Sequence, residues 1–133
     1  MEIKDSYIRN IIQIIDIYDG DTFTALVDVG FDTSKTVKFR FKGINTAELK
    51  GSTGLRLQLA YEAKAYVEKT LKGRKIRVHS ERFEEGGYRR YLATIYYQND
   101  KGEWINLNQE LLDKGLAQHY YKGASKDFGE WHK

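Results

Sequence analysis

Cysteine is missing from this chain of 133 residues, and its absence excludes a disulfide framework, a thiolate metal site and a cysteine nucleophile. No run of about 18 apolar residues occurs, so nothing in the sequence reads as a membrane-spanning helix. The opening Met1-Glu2-Ile3-Lys4-Asp5 lacks the basic and then unbroken apolar regions of a secretory signal, and a cytoplasmic location is expected unless a signal has been removed. His79, His119 and His132 show no ligand spacing of the H-x-x-x-H kind, so none receives a role. Gly51-Ser52-Thr53-Gly54 lacks the lysine of a P-loop. Proline is also absent, and the pattern offers no account of it.

What is present is the composition of a folded protein: 41% of residues are apolar and 14% aromatic, too many for a disordered chain. The length suits one hydrophobic core, and residues 1–133 are read as a single domain with weak order expected from about residue 123. Net charge is +3 and the pI about 9.0, with 22 Lys and Arg. That balance permits a basic face for a phosphate-rich partner, and it equally fits an ordinary solvated surface.

Strand signals dominate the first third. From Tyr7 to Tyr18 the β-branched residues Ile8, Ile11, Ile12, Ile14, Ile15 and Ile17 stop at the turn signal Asp19-Gly20, which predicts a strand entering a hairpin. Thr22–Phe31 alternates as its partner, and Val37, Phe39 and Phe41 alternate with Lys38, Arg40 and Lys42 as a third strand with a cationic face. Leu55, Leu59, Ala63, Tyr66, Val67 and Leu71 then recur at helical spacing up to Gly73. Ile76 and Val78 mark a fourth strand and Tyr88–Tyr97 a fifth. Asn106, with Gln109 three residues on, starts a short helix ended by Gly115. The predicted class is α+β, mainly β: a five-stranded antiparallel barrel of the oligonucleotide-binding (OB) type with two to three appended helices.

Two polar clusters end apolar strands: Asp19-Gly20-Asp21-Thr22, and Asn45-Thr46-Ala47-Glu48 after the third strand. Asp21, Asn45 and the Thr46 carbonyl supply hard oxygen donors at irregular loop positions, which suits Ca²⁺ better than Zn²⁺. Taken alone, the first cluster is a turn and the second a loop start. Arg40 lies five residues before Asn45, and Arg90 follows Tyr88. Two guanidinium forks converging on a cation-bound phosphate would form a phosphodiesterase site, while each arginine alone fits a surface charge. Among the aromatics, Tyr88, Tyr91, Tyr96, Tyr97, Tyr120 and Tyr121 are candidates for base stacking, with half or more expected in the core.

Asp19-Gly20-Asp21-Thr22, Arg40 with Asn45-Thr46-Ala47-Glu48, Tyr88-Arg89-Arg90-Tyr91-Leu92-Ala93 and Gly115-Leu116-Ala117 resemble, in order and spacing, the staphylococcal nuclease (thermonuclease) family. The likeness runs from about Ile12 to Tyr121. It implies a Ca²⁺-dependent nuclease, acting on DNA and RNA with little sequence preference and leaving 3′-phosphates, with a monomer expected. By the same resemblance Asp21, Asn45 and Thr46 surround Ca²⁺, Glu48 orients or deprotonates the attacking water, Arg40 and Arg90 grip the phosphate, and Tyr88 and Tyr121 line the nucleotide pocket. Three positions depart from the family pattern: Asn45 replaces an aspartate ligand, Ala47 a frequent proline and Arg89 a frequent glycine. Asn45 keeps an oxygen but removes a negative charge, which implies weaker Ca²⁺ binding than an aspartate would give. The rival readings are a nucleic-acid-binding OB barrel that has lost the metal and a protein-interaction module.

Overall fold

In the first strand, β1 (Ser6–Asp19), apolar residues face the core at intervals of three rather than two. The pairing with β2 (Thr22–Gly30) is interrupted between Ile11 and Gln13, between Ile14 and Asp16, and between Ile17 and Asp19. Each bulge adds a residue that resets the alternation, so Ile11, Ile14 and Ile17 all pack on the core. Ile12, Ile15 and Tyr18 are left on the outside. Repeated bulges also increase twist, which bends this long strand around a barrel.

The computed structural model of the chain describes residues 6–85 and 88–120, with side chains from 8 to 81 and from 91 to 120. The tail expected to be weakly ordered lies outside the described residues. Strand β3 (Thr33–Phe41) pairs with β2 through a tight turn in which Phe31 and Asp32 both have positive φ, 54° and 59°. That conformation matches the twist of the flanking strands. Strand β3 therefore reaches upstream of the Val37–Phe41 alternation through the polar Thr33–Thr36, because the turn closes immediately before it.

A short strand β4 (Ile44–Asn45) follows, then helix α1 (Gly54–Leu71), strands β5 (Ile76–Glu85), β6 (Tyr88–Gln98) and β7 (Trp104–Asn106), helix α2 (Leu107–Asp113) and a short strand β8 (Gln118–His119). The main sheet runs β3-β2-β1-β5-β6-β7, and β3 also pairs with β6 to close a ring. Among the described residues the result is a closed barrel of five strands with two helices. The class is as expected, with one difference. The closing pair β3–β6 is parallel, Arg40 lying against Leu92, while every other pairing in the sheet is antiparallel. Alternation along a strand does not distinguish the two senses.

The barrel is filled by Phe23, Ala25, Phe39, Phe41, Val78, Ala93 and Ile95, and is covered by Val67 and Leu71 of α1 and Leu107 and Leu111 of α2. Leu55, expected on the inner face of α1, is exposed at the first turn. Asn106 caps α2 as expected, accepting from the Gln109 amide, but the Gln109 side chain turns to Asp113 instead of completing the box. Asn108 is buried and closes the seam: its Oδ1 accepts from Ile95 N–H, and its Nδ2 donates to the carbonyls of Ala93 and Lys42. Glu110 accepts from Tyr66 of α1 at 2.5 Å and from Tyr97 of β6 at 2.8 Å. Burial, then Glu110, pushes the Tyr66 phenol up to about 12. Among the described residues no helix is long and apolar enough to cross a membrane.

Candidate active site

The β1–β2 turn is held against α1 by a close approach. A Cβ on Gly20 would stand 2.7 Å from the Ala63 side chain and 3.0 Å from Cγ2 of Thr46. Only glycine fits there without displacement, and this brings Asp21 up to the start of the Thr46 segment. Phe41 N–H donates to the Asp21 carbonyl at 2.8 Å, tying the turn to the end of β3.

Asp21 is 4% exposed, so its carboxylate needs partners to remain in place. Oδ1 accepts from the Thr22 hydroxyl at 3.0 Å. Oδ2 accepts from Thr46 N–H at 3.0 Å and from Nη1 of Arg40 at 3.3 Å. Arg40 reaches it because β3 sets Arg40 directly across from Thr22, while its neighbours Phe39 and Phe41 turn into the core. The other arm of the guanidinium, Nη2, donates to Oδ1 of Asn45 and lies 3.5 Å from the Ile44 carbonyl. The Tyr120 ring borders it, with 5.4 Å from the guanidinium carbon to the ring centroid.

Asn45 and Thr46 are each 1% exposed. Pairing of β4 with β8, Asn45 against Gln118, fixes the Asn45 backbone. Nδ2 of Asn45 and Oγ1 of Thr46 have no hydrogen-bond partner among the described residues. A buried donor left unpaired costs about 1–3 kcal/mol, so the site carries polar groups that the fold itself does not satisfy.

Asp19 joins this cluster, although the sequence alone assigns it no role beyond its place in the Asp19-Gly20-Asp21-Thr22 motif. Its Oδ1 accepts from Leu49 N–H at 3.1 Å, which anchors the segment carrying Glu48. Burial raises its carboxyl above the ordinary 3.8; the Leu49 amide lowers it, Asp21 and Glu48 raise it, and Lys64 lowers it. Asp21 and Glu48 are thus both close enough to Asp19 for their charges to act on it. The signal available in the sequence was the D-x-D spacing of one tight turn. Glu48 itself is partly exposed.

The other expected residues are placed less fully. The backbone of Arg90 lies in β6 opposite Phe83, two residues before Leu92, the partner of Arg40; Tyr88 lies opposite Glu85. The side chains of Arg90 and Tyr88, and all of Tyr121, are outside the described residues. Tyr120 is the aromatic residue seen at the site, with its N–H donating to the Gly43 carbonyl at 2.8 Å.

Compared with known families, residues 38–131 match the staphylococcal nuclease homologue family. The chain belongs to that family. A search of curated proteins finds no match. The family match begins inside β3, so Asp19 and Asp21 precede it; the fold brings them to Arg40, Asn45 and Thr46. Staphylococcal nuclease homologues are generally nucleases and typically depend on Ca²⁺. The donors here suit such an ion in kind: carboxylate, amide and carbonyl oxygens, with no nitrogen or sulfur ligand. Among the described residues, however, no three Asp, Glu or His side chains form a ready cation cluster, and the Asp21 and Asn45 oxygens are engaged by Arg40.

Proposed function

We propose that the chain is a Ca²⁺-dependent nuclease hydrolysing phosphodiester bonds of DNA and RNA with little sequence preference. The observation that carries this reading is the convergence of Arg40 with the buried Asp21, Asn45 and Thr46 at one end of the barrel, with Glu48 and Asp19 within electrostatic reach. An arginine fork beside clustered oxygen donors and a partly exposed carboxylate is an arrangement suited to phosphoryl transfer.

Asp21, the Asn45 side chain and the Thr46 carbonyl are the residues that would hold Ca²⁺. When bound, the ion supplies charge neutralisation at a phosphoryl oxygen and orders water beside it. Glu48 orients the attacking water and takes its proton as the new P–O bond forms, while the bond from phosphorus to the 5′ oxygen of the next nucleotide breaks and that oxygen leaves as a hydroxyl with a proton from water. Arg40, with Arg90 from β6, binds the non-bridging oxygens and stabilises the charge that builds on them in the transition state. The nucleotide lies against tyrosines: Tyr88, Tyr121 and the neighbouring Tyr120. The chain acts as a monomer, with nucleic acid as its macromolecular partner.

Asn45 favours a second reading, a nucleic-acid-binding barrel without catalysis. Its neutral amide stands where the family has a carboxylate, and its oxygen is taken by Arg40. End-group analysis separates the two readings. Single-stranded DNA and RNA of mixed sequence, incubated with the protein in millimolar Ca²⁺, should both be shortened and carry new 3′-phosphates. Binding of both polymers with no new ends would leave only the binding module.

A further inference from the structure

Resting on the nuclease reading, we propose that Arg40 is a built-in competitor of the divalent cation. Its guanidinium docks on the oxygens the ion needs, so that ion binding and release of Arg40 toward the phosphate are one event.

The geometry supplies the competition. Nη1 donates to Oδ2 of Asp21 and Nη2 to Oδ1 of Asn45, which are side-chain oxygens of two of the three residues that would hold Ca²⁺. The Arg40 side chain is 16% exposed and that of Asp21 5%, so little water screens one cation from another there. A guanidinium and a dication on the same two oxygens would repel strongly at such separation. One must leave for the other to enter.

The docked arrangement is also built to be displaced. Arg40 draws one full charge, from Asp21, and only a neutral amide from Asn45. Turning Oδ1 of Asn45 toward Arg40 leaves Nδ2 buried without a partner, and reversing the amide would aim its N–H groups at the guanidinium. An aspartate at this position would hold the arginine between two carboxylates and strengthen the dock. Outside the dock, the Tyr120 face already bordering the guanidinium gives the released arginine a cation–π surface. Apparent Ca²⁺ affinity is therefore reduced by the fraction of molecules in which Arg40 is docked.

The test is calorimetric titration of Ca²⁺ into the parent protein, Arg40→Met and Arg40→Lys, each checked for cooperative unfolding in chelator. Methionine keeps an apolar stem and removes the charge; lysine keeps a charge but cannot fork across both oxygens. Arg40→Met should bind Ca²⁺ about tenfold or more tightly than the parent, with Arg40→Lys between them. Equal or weaker binding by a folded Arg40→Met overturns the competition and leaves the cation site standing. If Arg40→Met does not fold, Arg40→Lys decides in the same way: tighter binding than the parent supports the proposal, and equal or weaker binding overturns it. No binding by any of the proteins at millimolar Ca²⁺ overturns the cation site and the competition with it.

Discussion

At the scale of single residues, the proposed site turns on a few oxygen lone pairs, those of Asp21 and Asn45 that Arg40 engages. Arg40→Ala should lower turnover by about a hundredfold or more, as expected when one donor to a developing oxyanion is lost. Glu48→Gln should reduce turnover more than it raises KM, because in the proposed mechanism Glu48 acts on the chemical step while Arg40 also binds the phosphate. Steady-state kinetics on a defined oligonucleotide check both, and parental turnover in either folded variant would remove its catalytic role. Asn45→Asp should tighten Ca²⁺ by about tenfold, equivalent to about 1.4 kcal/mol. The added carboxylate also strengthens the Arg40 dock, but a dication gains about twice what a guanidinium gains from the same charge. Calorimetry of parent and variant reads the difference directly, and turnover at saturating Ca²⁺ should change far less.

Asp19 gives the site a pH dependence of definite sign. Its carboxyl is raised above 3.8, first by burial, so from 3.8 upward the native state binds more protons than the unfolded chain. Stability contributed by this group therefore falls as pH rises through that window. Asp19→Asn keeps an oxygen for the Leu49 amide and removes the charge. In chelator it should melt a few degrees above the parent at pH 7, with the gain fading as pH approaches 3.8. Thermal melts across pH 3–8 test this, and a variant less stable than the parent at pH 7 would contradict it.

At the scale of elements, close packing of the β1–β2 turn on α1 aligns Asp21. Gly20→Ala forces a methyl to within 2.7 Å of the Ala63 side chain and 3.2 Å of its carbonyl carbon. Overpacking of this kind costs about 1–3 kcal/mol, a fall in Tm of about 5 °C or more. Pairing it with Ala63→Gly should recover part of that loss despite the glycine's own helix penalty. A double-mutant cycle with no coupling would show that the two elements do not meet as described.

Most elements were legible because their physics is local. The β-branched run of β1, the alternation of β2 and β3, the 3.6-residue period of α1 and the Asn106 cap all announce themselves within a few residues. What escaped was set by tertiary context. Bulges in β1 convert an alternating reading into inward Ile11, Ile14 and Ile17. Strands β4 and β8 have two residues each and no internal pattern. Thr33–Thr36 belongs to β3 although its polar residues show none of the apolar alternation that marks Val37, Phe39 and Phe41. In the site, Asp21, Arg40, Asn45 and Thr46 were each named from sequence and stand together. Asp19 was passed over because a turn aspartate is ordinarily a turn former, and the Arg40–Asn45 contact requires a register that no pattern displays.

At the scale of the whole molecule, the barrel closes by a parallel β3–β6 pair that sets Arg40 against Leu92, and Asn108 pins the same seam from α2. Arg40, the strand leading from Arg90 and the oxygen cluster are therefore fixed by one closure, and the function proposed for them is that this end of the barrel hydrolyses nucleic acid only with a cation in place. The most direct test is the initial rate of single-stranded DNA cleavage by the parent protein in millimolar Ca²⁺ and in excess chelator. Cleavage in Ca²⁺ that chelator abolishes is the predicted result; cleavage undiminished by chelator, or none in Ca²⁺, would contradict the account.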